Sequence, residues 1–213
     1  MIVDRRDLIA NDPLAARLLD RVGAFLLIIV FLPFMAVIAA GIAMSSRGPI
    51  FFKQQRIGRD GRLFWCYKFR TMDTNADAQL KALLEQCSQS RSEWDRDRKL
   101  KDDPRVFAFG RFLRRSSLDE LPQLFNILRG EMSLVGPRPI VESEAEMYGR
   151  YIVYYCAVRP GLTGLWQVSG RNDTSYRRRV ALDVVYARQG RVGDNIGILM
   201  KTVPAVLVAK GSY

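Results

Sequence analysis

The feature that most constrains this chain is an uncharged run at residues 22–44, VGAFLLIIVFLPFMAVIAAGIAM. As a straight helix, a run of 23 residues is about 35 Å long and can cross a hydrocarbon core of roughly 30 Å. A signal peptide is the alternative, but its apolar region would be shorter, and the residues before this run include Asp4, Asp7, Asp12 and Asp20. The run therefore predicts a helix that contacts a bilayer.

Pro33 lies at the midpoint of this run, with eleven residues on each side. Proline removes a backbone donor and its ring clashes with the preceding turn, so a kink or break is predicted there. A re-entrant helix, which enters one leaflet and returns, would keep both basic flanks on the cytoplasmic side and is favoured over a kinked spanning helix, the alternative. The flanking basic residues are Arg5, Arg6, Arg17 and Arg21 before the run and Arg47, Lys53, Arg56 and Arg59 after it.

The composition narrows the chemistry that this chain can perform. It has 33 Lys+Arg against 22 Asp+Glu, a net charge of +11, which indicates a polyanionic partner: nucleic acid, an anionic membrane surface or a phosphorylated substrate. The absence of histidine excludes an imidazole base, a Ser-His couple and an HExxH zinc site. Cys66, Cys87 and Cys156 are too scattered for a structural zinc site or a disulfide framework. Carboxylates, Arg, Lys, hydroxyls or a bound metal must carry any reaction, unless a cysteine acts without a His partner.

The remaining sequence predicts a mainly α protein with a small β-hairpin (α+β). Two strand-like runs in residues 50–72 flank Gly58-Arg59-Asp60-Gly61, a hairpin signal. Helical patterns occur at residues 76–84, in a charged and solvated connector, and at 173–188. Residues 196–210 fit a buried helix or an amphipathic helix in the membrane interface. We expect residues 1–47 to form the membrane segment and residues 48–213 a catalytic domain.

The stretch at residues 111–139, RFLRRSSLDELPQLFNILRGEMSLVGPRP, carries the most chemical information. Ser117 and Glu120 fit a capping box, the purely structural interpretation. Pro122 argues against it, because proline favours the first position of a helix and would be unfavourable at the fifth. A helix from Pro122 to residue 129, with Gly130 after it, places Asp119 and Glu120 just before its positive end. Such a pair can hold a divalent metal, attack a phosphoryl group or simply cap the helix, and the residues alone leave this open.

Several arginines extend this pattern. Arg138 lies between two prolines in Gly136-Pro137-Arg138-Pro139, so its guanidinium loses little entropy on binding a phosphate. Arg159 in Arg159-Pro160-Gly161 is similar, and in both cases a rigid turn with a solvated arginine is the alternative. Lys68 and Arg70 are further cations, although hairpin surfaces commonly carry such residues.

Three blocks together resemble the bacterial sugar transferases, also called monotopic phosphoglycosyl transferases. They are GPIFFKQQRIGRDGRLFWCYKFRTM (48–72), SSLDELPQLFNILRGEMSLVGPRP (116–139) and RPGLTGLWQVSGR (159–171). The resemblance covers residues 20–213 and is closest to enzymes that initiate exopolysaccharide units with galactose or glucose. It implies the minimal catalytic form of the family and a re-entrant helix broken near a proline. Many members have an Asn-Trp-Ser-Leu-like segment where this chain has Gln189-Gly190-Arg191-Val192-Gly193, which puts local packing, membrane contact or sugar choice in doubt.

The resemblance also implies a reaction and roles for residues. A UDP-sugar would donate its sugar-1-phosphate to undecaprenyl phosphate and release UMP. Asp119 would be the nucleophile and the Mg²⁺ ligand, with Glu120 as its partner. Arg114, Arg138 and Arg159 would bind phosphate.

These implications set the expected partners and the competing hypotheses. The expected partners are UDP-sugar, undecaprenyl phosphate and membrane lipids, with no nucleic acid, and the question of a homo-oligomer stays open. The expected location is the cytoplasmic face of the bacterial inner membrane. The alternatives are a membrane-bound glycosyltransferase that releases UDP and a basic membrane-anchored binding protein, for which the arginines at 177–179 are the support.

Overall fold

The fold is mainly helical with a small antiparallel hairpin, as predicted. The computed structural model describes residues 14–97, 100, 102–170, 174–189 and 192–208. Within these ranges the elements are α1 (Leu14–Ser45), β1 (Phe51–Ile57), β2 (Leu63–Phe69), α2 (Ala76–Gln86), α3 (Ser88–Asp97), α4 (Ala108–Ser116), α5 (Gln123–Arg129), β3 (Ser133–Val135), α6 (Glu142–Tyr148), α7 (Ile152–Ala157), β4 (Gly161–Thr163), α8 (Leu165–Val168), α9 (Tyr176–Gln189) and α10 (Val192–Val208). Short 3-10 turns occur at Arg59–Gly61, Leu118–Glu120 and Gly149–Tyr151.

The predicted hairpin is confirmed. β1 and β2 pair antiparallel from Phe51 opposite Phe69 to Ile57 opposite Leu63. The turn needs two residues with positive φ, and Asp60 (φ 58°) and Gly61 (φ 74°) supply them. The side chains at the start of β2 alternate: Phe64 and Cys66 pack against α5 and α1, while Leu63 and Trp65 are exposed. Phe69, at the end of the strand, is buried in a second core.

Helix α5 is fixed to the hairpin by the side chain of Asn126, which is completely buried. Its Oδ1 accepts a hydrogen bond from the backbone N–H of Tyr67 (3.1 Å), and its Nδ2 donates to the carbonyl oxygen of Trp65 (2.7 Å) and to Glu131 Oε2 (2.6 Å). A buried amide with all these groups satisfied fixes the register between helix and strand. The residues just before α5 are thereby held above β2.

One stripe of α1 packs against the rest of the protein along nearly its whole length. Ala24 contributes to a core with β2 and α5, while Met35, Ile38 and Ile42 contribute to a second core with Phe69 and Leu113. These contacts lie on both sides of Pro33. The helix is assigned without interruption through Pro33, so no break is seen there, and the re-entrant path stays a prediction.

The first turns of α1 are attached through the buried carboxylate of Asp20. Its Oδ2 accepts hydrogen bonds from Ser133 Oγ (2.8 Å) and Arg159 Nη2 (2.8 Å), and its Oδ1 accepts one from the backbone N–H of Leu134 (3.0 Å). Arg159 also donates to the carbonyl oxygen of Met132. This network joins the apolar helix to the start of β3 and to the residue before Pro160.

Strands β3 and β4 bring two of the sequence blocks into contact. They pair in parallel, and Gly161 N–H donates to the carbonyl oxygen of Pro137 while Gly136 N–H donates to that of Thr163, both at 2.8 Å. A methyl group on Gly161 would overlap the backbone nitrogen of Gly136. The close approach therefore requires glycine at this position.

The other helix predictions are confirmed where the structure describes the chain. The pattern at 76–84 lies within α2, the pattern at 173–188 corresponds to α9, which begins at Tyr176, and the pattern at 196–210 corresponds to α10, which begins at Val192. Residues 173, 209 and 210 of these patterns lie outside the described residues. The flanking arginines Arg5 and Arg6, the last residue of the third block (171) and Gly190-Arg191 of the departing segment lie outside the described residues.

Replacing Asp20 with alanine should destabilise the protein by about 3 kcal/mol, because the guanidinium of Arg159 would lose a buried carboxylate partner. The loss is measured as a fall in unfolding temperature of the detergent-solubilised protein. Asp77→Ala is the matched control, since Asp77 is an exposed acid on α2 and its removal should change stability by no more than about 0.5 kcal/mol. Equal unfolding temperatures for the two variants would show that the Asp20 network does not hold α1.

Candidate active site

The Asp-Glu pair lies in a 3-10 turn, Leu118–Glu120, between α4 and α5. The capping-box interpretation is wrong: Ser117 has left-handed φ and ψ (56°, 17°), ends α4 and makes no side-chain cap hydrogen bond. Pro122 occupies the N-cap position, α5 begins one residue later, and Gly130 with φ 80° ends it. The predicted placement of both carboxylates just before this helix is confirmed.

Glu120 is held by two cations from two different segments. Its Oε1 is 2.7 Å from Lys68 Nζ, on β2, and 2.9 Å from Arg138 Nη2, in the Gly-Pro-Arg-Pro segment. Burial by itself raises the pKa of Glu120, but Arg138 and Lys68 more than offset this and lower the pKa to about 2. Glu120 is therefore ionised at neutral pH and positions both cations.

Asp119 differs from its neighbour, because its carboxylate is not bound by another side chain. It is 8% exposed, and among the described residues it makes no hydrogen bond or salt bridge. Burial raises its pKa, and the negative charge of Glu120 adds to this, while Lys68, Arg114 and Arg138 lower it. A partly desolvated carboxylate that is surrounded by cations but engaged by none is available to a ligand or a reacting atom.

Two of the three predicted phosphate-binding arginines lie at this site. Arg138 contacts Glu120 directly, and Arg114 Nε donates to Thr71 Oγ1 (2.9 Å) while its charge acts on Asp119. Arg159 is instead hydrogen-bonded to Asp20 and Met132, which gives it a structural role, so its predicted contact with phosphate stays a prediction.

A narrow cleft beside Glu120 brings Lys68 and Arg56 to the site, a role that the sequence analysis did not assign to either residue. It is lined by Arg56, Cys66, Lys68, Glu120, Gln123, Arg138, Pro139, Gly161 and Leu162. Lys68 alternates with buried Phe64 and Cys66 on the inner face of β2, and Arg56 lies opposite Phe64. The sequence did contain a signal for Lys68: it continues the period-two pattern of Phe64 and Cys66, which places a cation on the buried face of the strand.

Arg70, the other cation of that block, has a structural role. It is buried, and its guanidinium donates to Ser46 Oγ (2.8 Å) and to the carbonyl oxygen of Ser46 (2.7 Å). These bonds attach the end of α1 to the end of the hairpin. The two cations of the block therefore have different partners: Lys68 pairs with Glu120 at the site, whereas Arg70 binds Ser46.

Sequence comparison identifies the family of a chain with this arrangement. A model of the family described as bacterial sugar transferase matches residues 11–209. The chain belongs to the bacterial sugar transferase family. The resemblance predicted from its three blocks is confirmed, and the blocks supply the turn, the cleft and the cations of this candidate site.

Three relatives illustrate the range of the family. The chain is 48% identical to the undecaprenyl-phosphate galactose phosphotransferase of Salmonella typhimurium and 47% identical to the UDP-galactose-lipid carrier transferase of Erwinia amylovora, and each alignment covers 92% of this chain and 41% of the relative. It is 46% identical to the exopolysaccharide production protein ExoY of Rhizobium meliloti, covering 94% of this chain and 88% of ExoY. The chain thus spans about two fifths of the first two relatives and most of the third.

The donor atoms at the site are compatible with Mg²⁺. Among the described residues there is no group of three Cys, Asp or Glu side chains that could form an all-protein metal site. Mg²⁺ in phosphate-binding sites needs fewer protein ligands, because it commonly uses one or two carboxylates together with phosphate oxygens and waters. Asp119, with no cation bound to it, is suited to provide such a carboxylate.

Replacing Lys68 with methionine should destabilise the protein by about 2 kcal/mol, because Glu120 keeps its buried charge and loses one of its two partners. Lys53→Met is the matched control, since Lys53 is exposed on the same hairpin and stacks on Trp65. Thermal unfolding in detergent measures both changes.

A double variant, Lys68→Met with Glu120→Gln, isolates the pair. It should be less destabilised than the sum of the two single variants, because the charge left unpaired by the first change is removed by the second. Strictly additive changes would show that Lys68 and Glu120 do not interact in solution.

Proposed function

We propose that this protein transfers a hexose-1-phosphate from a UDP-sugar to undecaprenyl phosphate, with release of UMP. The observation that carries the proposal is the contrast between two adjacent carboxylates, one bound by two cations and one that no described side chain binds. The names of the Salmonella and Erwinia relatives support galactose as the first sugar to test. Glucose is the second.

In the first step, the carboxylate of Asp119 attacks the phosphorus that carries the sugar. A bond forms between an Asp119 oxygen and this phosphorus, and the bond from the phosphorus to the bridging oxygen breaks, so UMP leaves with that oxygen. The product is a phosphosugar-aspartyl intermediate. Asp119 must be ionised to attack. Burial raises its pKa, and the charges of Lys68, Arg114 and Arg138 oppose this rise without cancelling it.

In the second step, an oxygen of the lipid phosphate attacks the same phosphorus. The bond to Asp119 breaks, the carboxylate is regenerated, and a polyprenyl-diphospho-sugar is released. One site thus serves a water-soluble and a lipid substrate in turn, so the two need not bind together. Histidine is not required, since both phosphate nucleophile and phosphate leaving group are largely ionised at neutral pH.

The cations around the carboxylates would stabilise the negative charge that the diphosphate brings. Arg138 presents a planar fork suited to two phosphate oxygens, and Arg114 comes from the last turn of α4, just before the 3-10 turn that holds both carboxylates. Glu120 acts by holding Lys68 and Arg138 in place. We propose that Asp119 also holds Mg²⁺, which when bound would neutralise part of the diphosphate charge.

Two other functions give different products. A membrane-bound glycosyltransferase would release UDP, and a basic binding protein would release no nucleotide. The carboxylate of Asp119 is bound by no described side chain and lies near the charges of three cations. This arrangement favours attack on phosphorus over both alternative functions. Identification of the nucleotide product separates the three.

The packing of α1 supports a monotopic arrangement on the cytoplasmic face of the bacterial inner membrane. Within its most apolar window only 22% of the residues are buried, so most of its apolar surface is free to contact lipid. Its other face contacts the polar catalytic body on both sides of Pro33, at Ala24 and at Ile42. A helix that crosses the bilayer alone needs about 30 Å free of polar protein, so these contacts favour a monotopic arrangement over a spanning helix. The turn of the chain at Pro33 that re-entry requires stays a prediction, because α1 continues through Pro33.

Helix α10 supports an interfacial position for the same body. Ile196, Met200 and Val203 are spaced four and three residues apart and form an exposed apolar stripe. On another face, Ile198 is buried and Thr202 Oγ1 hydrogen-bonds Thr163 Oγ1 on β4 (2.8 Å). A helix that is docked on one side and apolar on the other is suited to lie in the headgroup region.

Incubation with sugar-labelled UDP-galactose, without lipid acceptor, should attach the label covalently to the protein and release UMP. Asp119→Asn should abolish this labelling, because the amide cannot act as the nucleophile. Glu120→Gln should lower the rate of labelling by about tenfold or more, since it weakens the hold on two cations. Intact-protein mass spectrometry and nucleotide analysis are the measurements, and UDP-glucose is run in parallel.

Glu85→Gln is the matched control, because Glu85 is on α2, away from the site, and should label like the wild type. Undiminished labelling of Asp119→Asn would rule out Asp119 as the nucleophile. Release of UDP in place of UMP would identify a glycosyltransferase.

Cysteines introduced at positions 3 and 62, in a background without Cys66, Cys87 and Cys156, should both be protected from a membrane-impermeant thiol reagent in intact spheroplasts. Both should react after lysis, because re-entry leaves both flanks of α1 in the cytoplasm. Labelling at position 3 alone in intact spheroplasts would show that α1 spans the bilayer. A periplasmic marker protein serves as the positive control for the reagent.

A further inference from the structure

The hydroxyl group of Tyr155, on α7, lies between two backbone segments that border the active site. Tyr155 is 1% exposed, and its ring packs in a core with Ile57, Ile140, Tyr148 and Val180. The hydroxyl donates a hydrogen bond to the carbonyl oxygen of Ile57 (2.7 Å) and accepts one from the backbone N–H of Ile140 (3.2 Å). Ile57 ends β1, and Ile140 directly follows Gly-Pro-Arg-Pro.

These two residues also form an isolated antiparallel bridge. Ile57 N–H donates to the carbonyl oxygen of Ile140 (2.9 Å), and the return bond of such a pair would run from Ile140 N–H to the Ile57 carbonyl. The Tyr155 hydroxyl stands in that return path and joins the two groups through itself. We call the arrangement of Ile57, Ile140 and Tyr155 the clasp.

The clasp fixes one end of the segment that carries Arg138. The other end is fixed by Gly161 N–H, which donates to the carbonyl oxygen of Pro137 (2.8 Å), and Arg56 Nη1 donates to that of Pro139 (3.0 Å). Because Pro137 and Pro139 have no N–H, the segment depends on the bonds made by its carbonyl groups and by Ile140. Arg138 extends from this segment to Glu120.

We propose that Tyr155 is a positioning residue, whose hydroxyl sets the place of the Arg138 guanidinium relative to Asp119 and Glu120. This rests on the proposed function, in which Arg138 binds the diphosphate of the UDP-sugar. The packing of the ring does not need the hydroxyl, since phenylalanine would fill the same space. Burial raises the pKa of Tyr155, so the hydroxyl stays protonated and keeps its donor role at every working pH.

The test is Tyr155→Phe, which removes the hydroxyl and leaves the ring. We expect kcat/KM for the UDP-sugar to fall about tenfold, mainly through KM, because a displaced Arg138 binds the diphosphate less well. Backbone hydrogen exchange at residue 140 should become faster by a similar factor. Tyr154→Phe is the matched control: Tyr154 is the buried neighbour, its hydroxyl accepts a hydrogen bond from Arg188, and both readouts should stay within twofold of wild type.

A second comparison shows whether the fall in kcat/KM of Tyr155→Phe depends on Arg138. In an Arg138→Ala background, adding Tyr155→Phe should change kcat/KM by less than twofold, because there is no longer a guanidinium to position. A tenfold loss in that background, or wild-type kcat/KM in Tyr155→Phe alone, would overturn the proposal.

The experiments also distinguish failure of the proposed function from failure of the Tyr155→Phe variant to fold. If the wild type transfers no sugar-phosphate, the proposed function fails, while exchange at residue 140 in Tyr155→Phe still tests the clasp itself. If Tyr155→Phe does not fold, exchange in the wild type decides: the amide of Ile140 should be protected as well as that of Ile57. An unprotected Ile140 amide would overturn the clasp.

Discussion

The buried carboxylate of Glu120 is the group on which the arrangement of the site depends. An ionised carboxylate removed from water costs several kcal/mol unless cations and hydrogen bonds replace its hydration. Here Lys68 from the hairpin and Arg138 from the Gly-Pro-Arg-Pro segment do so, at 2.7 and 2.9 Å. Three distant stretches of sequence must come together for Glu120 to be satisfied. The same contacts occupy both cations with Glu120, and no described side chain binds the carboxylate of Asp119.

The fold must also attach the apolar helix α1 to the rest of a strongly basic chain. The Asp20 network attaches the first turns of α1, and Arg70 attaches its last residues to the hairpin. Between them, one apolar stripe packs on the body and the opposite side is left exposed. In the proposed monotopic arrangement, these polar bonds at the two ends of the helix would set the depth of the site relative to the bilayer, near the level of a lipid phosphate.

The partners of the arginines and lysines could not be predicted from the sequence. Arg138 and Arg159 both precede prolines in glycine-rich motifs, and their local sequences gave the same expectation of phosphate binding. In the structure, Arg138 lies at the cleft, whereas Arg159 holds Asp20. Likewise, Lys68 and Arg70 are two residues apart, yet one meets Glu120 and the other Ser46. No local pattern separates these pairs, because the partner that distinguishes each cation lies 18 or more residues away along the chain.

The sequence by itself determined the features that depend on near neighbours. These are the hairpin at Asp60-Gly61, the start of α5 after Pro122, its end at Gly130, the apolar helix and the family. Each follows from backbone preferences or periodic burial within a few residues. Tertiary structure decided which carboxylate is engaged and which is free, which cations serve the site, and that a tyrosine hydroxyl on α7 joins the hairpin to the segment carrying Arg138. The physical reason is that desolvation and ion pairing are properties of the surroundings of a side chain, and those surroundings exist only once distant segments have packed together.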